Sequence, residues 1–416
     1  MKNKIKIYLD NAATTPLDPR VFKAMMPYLK NNYGNASSVH SLGQSAKEAL
    51  EVSRKKIADF INARPEEIIF TSGGTEANNL VVKGIAQRYQ ALGKHIITTK
   101  IEHEAIINPC KFLEKQGFET TYLNVNGDGL IDLDELEKSI TDQTVLISIM
   151  QANNEIGVIE PIREISQIIK KIKEDRKERN IKTPIFFHSD AVQTFGHLSI
   201  DVNQLGLDFL SASAHKLYGP KGVGLFYHRA GIKFDPLIHG GGHENNWRSG
   251  TENIPSIVGF AKAVELAKEE MNIEYKKLTE WREKLTQGLE KIKGVMLNGD
   301  RYLRLPNNVN ISIKGIEGEA ALLYLDKKGI ACSTGSACSS HSLKASHVLL
   351  AIGRTLEQAH SSLRFTMGKF TKENDIKHLL KVFPEVVKKL RRISPIWSNN
   401  GDKNEDRCRC QRCFLK

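Results

Sequence analysis

Six cysteines in 416 residues is a sparse set: Cys110, Cys332, Cys338, Cys408, Cys410 and Cys413. So few in so long a chain argue for reduced thiols and against a disulfide framework. Long apolar runs are lacking as well. The longest, such as Val145-Leu146-Ile147-Ser148-Ile149-Met150, are strand-sized and far short of the ~18 residues that a membrane span needs. The opening residues, Met1 to Leu9, hold neither an apolar signal core nor a cleavage site, so a cytoplasmic location is expected and no membrane partner. No repeat with a period of about 20–50 residues occurs, which sets aside a solenoid. Neither a GxGxxG fingerprint nor a Walker A loop is present. Zinc-finger spacing and aromatic-basic single-strand motifs are missing too, so no direct nucleic-acid binding is expected.

What is present is an ordinary globular composition, 40% hydrophobic and 26% charged, in a chain long enough for two or three domains. The net charge of +12 comes from 60 basic and 48 acidic residues. Part of the excess lies in Lys388-Lys389-Leu390-Arg391-Arg392 and part in the C-terminal tail. Transient contact with RNA or an acidic protein stays open on charge alone. The run from Lys170 to Arg179 mixes basic and acidic residues and reads as a solvated helix face.

From 68 to 227 strand-like runs alternate with helical periods. The runs are 68–71, 95–99, 120–123, 145–151, 185–189, 207–212 and 224–227, with helix-length segments such as 102–115 and 162–179 between them. That alternation predicts an α/β fold with a mainly parallel seven-stranded sheet flanked by helices. A helix over 42–61 precedes it. After Pro255, apolar residues from Ile257 to Ile292 step by threes and fours, the mark of a long helix able to bridge two domains. Strand 308–313 and helical stretches 318–328 and 372–392 then make a smaller α+β unit. The expected division is 16–255 as a large domain, 1–15 with 256–397 as a small one carrying a mobile loop near 332–345, and 398–416 as a flexible, basic, Cys-rich tail.

The chemistry centres on Ala214-His215-Lys216-Leu217-Tyr218-Gly219-Pro220-Lys221-Gly222, a tight turn between two strands. A lysine held there beside small residues could form a Schiff base with a carbonyl cofactor; it could equally be a solvated loop lysine. Thr71-Ser72-Gly73-Gly74-Thr75-Glu76 lies between a strand and a helix, where glycines and a helix N-terminus could cradle a phosphate or merely turn the chain. Asp190 ends a buried strand, placed to pair with a protonated pyridine nitrogen or to cap a helix. His103 could stack on a ring, move a proton or be structural, and Asn154 follows a further strand. Cys338 sits in a small, polar, Gly-containing stretch that favours an accessible thiolate, whereas Cys332 and Cys110 look structural.

Taken together the motifs resemble the cysteine desulfurases of the NifS/IscS type, members of the fold type I (aspartate-aminotransferase-like) enzymes that use pyridoxal 5′-phosphate (PLP). The resemblance runs from about Ile7 to Trp397. It rests on the stretch from Tyr8 to Pro16, on Thr71 to Glu76, Asn153-Asn154-Glu155-Ile156-Gly157, Ala214 to Gly222, Arg248-Ser249-Gly250-Thr251 and Gly335-Ser336-Ala337-Cys338. It implies PLP on Lys216, Asp190 facing the pyridine nitrogen, Gln193 on the ring hydroxyl and His103 stacked on the ring. Gly74, Thr75, Ser213 and His215 would hold the phosphate, with Thr251 reaching in from the second protomer of a homodimer. Arg364, helped by Asn154, would take the carboxylate of L-cysteine. Lys216 would abstract the α-proton, His103 would serve as acid, and Cys338 would accept sulfur as a persulfide while L-alanine leaves. Sulfur would pass to a scaffold protein for iron–sulfur clusters and to a tRNA-thiolation relay, and Cys338 could ligate a shared iron–sulfur cluster.

Four places depart from the family pattern. Glu244-Asn245-Asn246-Trp247 stands where Glu-Arg-Gly is usual, Asn35-Ala36 replaces Asn-Pro, and an insertion falls around 173–182. The scaffold-docking tail is replaced by Cys408-Arg409-Cys410-Gln411-Arg412-Cys413, whose three thiols suit a soft metal or sulfur but fall one short of a tetrahedral zinc site. An aminotransferase or selenocysteine lyase, and a non-catalytic sulfur-relay adaptor, are the competing readings.

Overall fold

A computed structural model describes residues 7–334, 345–395 and 397. Its strands, in chain order, are β1 (Ile7–Tyr8), β2 (Ile68–Thr71), β3 (His95–Thr99), β4 (Glu119–Leu123), β5 (Thr144–Ser148), β6 (Phe186–Asp190), β7 (Phe209–Ser213) and β8 (Gly224–His228), then β9 (Val295–Leu297), β10 (Asn308–Ile313), β11 (Ile330–Ala331) and β12 (Ser362–Thr366). Seven of them form one sheet in the order β2-β8-β7-β6-β5-β3-β4. Only β8 runs against its neighbours there, so the sheet is mixed but mostly parallel, as the alternation predicted.

Most of these strands are buried along their whole length, which is why they read as apolar runs instead of an inside–outside alternation. Two aromatic-rich cores flank the sheet. One is built on Phe187, Phe195, Tyr227 and Phe260; the other on Phe186, Phe209, Phe226 and Phe234. A third core gathers Ile7 and Leu9 with Leu285, Phe365 and Phe383, around the three-stranded sheet β12-β10-β9. The helix Ile254–Glu290 serves two of these cores: Ile257, Phe260 and Val264 bury in the first, Leu278, Leu285 and Leu289 in the third. Among the described residues no helix is long and apolar enough to cross a membrane.

Two expectations need correction. The run 170–179 is not wholly a solvated face. Arg176 is buried and donates to the carbonyls of Thr144, Thr183 and Thr141, tying the helix Ile162–Glu178 to the sheet. A guanidinium carries five donors on a long apolar stem, so it can serve as a backbone cap where a charge pattern suggests water. Strand β12, which carries Arg364, was not anticipated at all. It has only five residues and follows directly on the helix Leu356–His360.

The departures in sequence are absorbed locally. Asn245 and Asn246 take φ of 54° and 68°, left-handed values that asparagine tolerates better than most side chains. Trp247 stacks on Phe234 with ring centroids 4.3 Å apart, and Glu244 accepts two buried hydrogen bonds from the Arg54 guanidinium and one from the Phe70 N–H. Residues 173–182, where an insertion was expected, span the end of the helix Ile162–Glu178 and the turn that follows it. The tail cysteines Cys408, Cys410 and Cys413 lie outside the described residues.

Candidate active site

All the parallel strands of the large sheet end on one edge, and the sequence-predicted groups sit just past those ends. Gly74 and Thr75 follow β2, His103 follows β3, Asn154 follows β5, Asp190 closes β6 and Lys216 follows β7. Carboxyl ends of strands in open α/β sheets are where such folds leave room for ligands. A cleft of about 300 Å³ opens here, lined by Gly74, Thr75, His103, Asn154, Asp190, Gln193, Ser213, His215, Lys216 and Arg364. Every one of these was expected from the sequence. Thr251 is exposed and does not line the cleft of its own chain; its segment is tied to the Gly74 turn through the Arg248–Glu76 ion pair at 2.8 Å. Cys338 lies outside the described residues.

The turn that presents Lys216 is fixed from several sides. Leu217 and Gly219 both donate to the Ala214 carbonyl, and a Cβ on Gly219 would lie 2.7 Å from that oxygen, so glycine is required by contact. Tyr218 adopts φ 64°, a left-handed conformation strained for a bulky residue. It is held there by its N–H on Thr15 Oγ1 and by its hydroxyl, which accepts the Lys369 N–H at 2.6 Å. The Lys216 amine donates to the carbonyls of Ala12 and Ala13 at 2.5 and 2.8 Å, and His197 Nε2 donates to the Lys216 carbonyl.

Asp190 accepts from Asn78 Nδ2 at 2.6 Å and from the Val192 N–H at 2.9 Å, so its carboxylate is oriented from two directions. The backbone bond braces the turn after β6; no helix starts there, so the helix cap offered by the sequence is not made, and the Asn78 bond aims the other oxygen. His103 caps the helix Glu104–Glu114: its Nδ1 accepts the Ala105 N–H at 3.1 Å, which places the ring proton on Nε2. Burial, opposed by Asp190, lowers its pKa and favours the neutral ring. His215 is pushed down to about 4 by burial and by Lys216 and Lys221, so it too is neutral near pH 7.

Arg364 is almost wholly buried. Nη1 donates to the Asn154 carbonyl at 2.8 Å and Nη2 to Asp10 Oδ1 at 3.0 Å, while Nε is buried with no hydrogen-bond partner among the described residues. The same strand pairs with Ser333 through two backbone bonds. Beside Asn154, Glu155 accepts the Ser346 hydroxyl at 2.5 Å, and burial raises its pKa to about 7. Cys110 and Cys332 are buried with thiols pushed up, Cys110 to about 12, which suits structural roles.

Sequence reasoning missed Asn78, Asp10, Glu155 and the carbonyls of Ala12 and Ala13. Asp10, Glu155, Ala12 and Ala13 lie inside quoted motifs and Asn78 just beyond one, yet a backbone oxygen carries no side-chain signature. Asp10 meets Arg364 across 354 positions of chain.

Comparison with known proteins gives the family and the fold. The model of the family Aminotransferase class-V matches residues 7–379. The chain is 53% identical over 393 residues to the cysteine desulfurase IscS of Dictyoglomus turgidum, covering 94% of this chain and 97% of that protein. It is 50% identical over 390 residues to the cysteine desulfurase IscS of Methanosarcina thermophila, covering 94% of each. Among solved structures, a NifS-like protein superposes with a TM-score of 0.85 at 38% identity, over 92% of this chain and all of the other. The apo structure of a cysteine desulfurase from Thermococcus onnurineus NA1 gives a TM-score of 0.81 at 27% identity, over 92% of this chain and 95% of the other.

Proposed function

Because the chain belongs to the class-V aminotransferase family, and within it to the cysteine desulfurases, which use PLP, we propose that this cleft converts L-cysteine to L-alanine and passes the sulfur to Cys338. The observation that carries the reading is the convergence of the Lys216 amine, the Asp190 carboxylate and the Arg364 guanidinium on one cleft. It takes 16–255 as the cofactor-binding unit and 1–15 with 256–397 as the unit supplying the arginine.

When bound, PLP supplies a carbonyl that captures amines and a ring that takes up the electron pair released at the substrate α-carbon. The residues present fit such a group. Among the described residues no side chain caps the helix Gly74–Tyr89, and a Cβ on Gly74 would strike Val192 Cγ2 at 2.6 Å. Backbone N–H groups are thus open to a phosphate, with Thr75, Ser213 and His215 beside them. Asp190, locked by Asn78 and Val192, offers a fixed carboxylate to a pyridine N–H. Gln193 and His103 line the same cleft for the ring hydroxyl and the ring face.

Arg364 grips the substrate carboxylate and Asn154 assists, which orients the α-C–H toward Lys216. Lys216 Nζ takes the α-proton. His103, with its proton on Nε2, moves a proton at that nitrogen. The Cys338 thiolate attacks the substrate sulfur: the new S–S bond forms as the substrate Cβ–S bond breaks, and its electron pair stays with carbon, which is then protonated to alanine. A second copy of the chain completes the site with Thr251 in a homodimer. The persulfide then serves an acceptor scaffold for iron–sulfur clusters, and a tRNA-thiolation relay, in the cytoplasm.

Mass spectrometry after exposure to L-cysteine tests the sulfur step. Wild-type protein should gain one sulfur atom on Cys338. C338S should gain none and form no alanine while still shifting the cofactor absorbance on binding L-cysteine. Alanine formation at the wild-type rate by C338S would overturn the reading.

A further inference from the structure

Asp10 enters the site from behind the arginine. It follows β1, which pairs with β11, and its backbone bridges to Thr366 at the end of the strand that carries Arg364. Its carboxylate accepts from Arg364 Nη2 at 3.0 Å, and it is not one of the groups lining the cleft. The pair is poorly hydrated, with side-chain exposures of 3% for Arg364 and 20% for Asp10. A buried guanidinium next to a buried carboxylate is already largely neutralised, so its pull on a further anion is reduced. Burial holds the Asp10 carboxyl above its ordinary range, while Arg364 and, more weakly, Lys216 oppose that shift.

We propose that Asp10 is the resident counter-anion of Arg364 and sets how tightly the site holds a substrate or product carboxylate. This rests on the reading of Arg364 as the carboxylate grip. Substrate and product carry the same α-carboxylate, so an undamped arginine would hold alanine as firmly as cysteine. With Asp10 beside it, Arg364 trades one carboxylate for another and keeps its orientation throughout, because the Asn154 carbonyl fixes the other edge of the fork. Asp10 therefore acts through Arg364, as a residue that tunes affinity and makes no contact with the reacting atoms.

The test uses the full-length holoenzyme and separates charge from geometry. D10N keeps an oxygen that can accept from Nη2 but removes the negative charge. It should lower both the KM for L-cysteine and the Ki of L-alanine, by about tenfold. Binding of L-cysteine methyl ester, which has no carboxylate, should change less than about twofold by the same scale. D10S carries the same expectation should D10N fail to fold. R364A runs beside them. A raised KM in R364A together with an unchanged or raised KM and Ki in D10N and D10S overturns the counter-anion role alone. An unchanged KM in R364A sinks the reading of Arg364 and the inference with it.

Discussion

Lys216 stands on a tight turn that closes on its own backbone, from Ala214 to Gly219, and is then pinned from outside by Thr15, His197 and Lys369, whereas Arg364 stands on a strand and takes its own partners from Asp10, Asn154 and Ser333. The two ends of the cleft share one element, the segment from Asp10 to Ala13, which offers a carboxylate to the arginine and carbonyls to the lysine. On the proposed function the difference follows from their tasks. A lysine that must give and take a proton needs a fixed turn and neutral neighbours near its nitrogen, and neutral carbonyls and a neutral His215 are among what surrounds it. An arginine that must grip and release an anion needs a fixed plane and a graded charge, and those are assembled from distant parts.

The sharpest way to break this comparison is at the lysine. Lys216→Ala should abolish alanine formation, because no other residue supplies the amine, and should remove the visible absorbance typical of lysine-bound cofactor. A purified variant with an unchanged visible band would show that the turn serves another purpose. At the other end, Arg364→Ala should raise the KM for L-cysteine about 100-fold, the loss of roughly 3 kcal/mol of charge-assisted bonding. Arg364→Lys should recover little of it, since an ammonium cannot reproduce the planar fork. Recovery to within a few-fold by the lysine variant would mean that charge alone, without geometry, does the binding.

A smaller effect concerns Glu155, next to Asn154 on the arginine side. Its pKa in the folded protein is about 7 against an ordinary 4.5, because burial disfavours the charge. Between those values the folded chain keeps a proton that the unfolded chain has lost, so stability falls as pH rises from 4.5 to about 7 and levels off above. The full effect of such a shift is about 3 kcal/mol. Glu155→Gln keeps an acceptor for the Ser346 hydroxyl but cannot ionise. Thermal unfolding should therefore show a smaller drop in Tm between pH 5 and pH 7 in the variant than in wild type. Equal drops would place the ionisation of Glu155 elsewhere.

Much of the cofactor side was legible because its residues lie in short, contiguous motifs at strand ends. Apolar runs gave the seven strands to within a few residues, and the turn chemistry after them named Gly74, Asp190 and Lys216. The edges were less legible: 145–151 was expected as strand, yet β5 stops at Ser148, although Ile149 and Gln151 still donate to the carbonyls of His188 and Asp190 in β6. Strand β9 has three half-buried residues and no alternation long enough to register. Asn78 was hidden because an amide on a helix looks the same whether it faces water or a carboxylate.

Sequence alone determined the alternation that builds the sheet, the identity of the lysine turn and the glycine turn that opens the helix Gly74–Tyr89. These depend on nearest neighbours and on periodicity, which survive in one dimension. Tertiary structure decided that Asp10 meets Arg364, that Ala12 and Ala13 receive the lysine, and that Arg176 is buried against carbonyls. Each of those is a contact between segments from about thirty to over three hundred residues apart, fixed by how whole cores pack, and no local pattern records it.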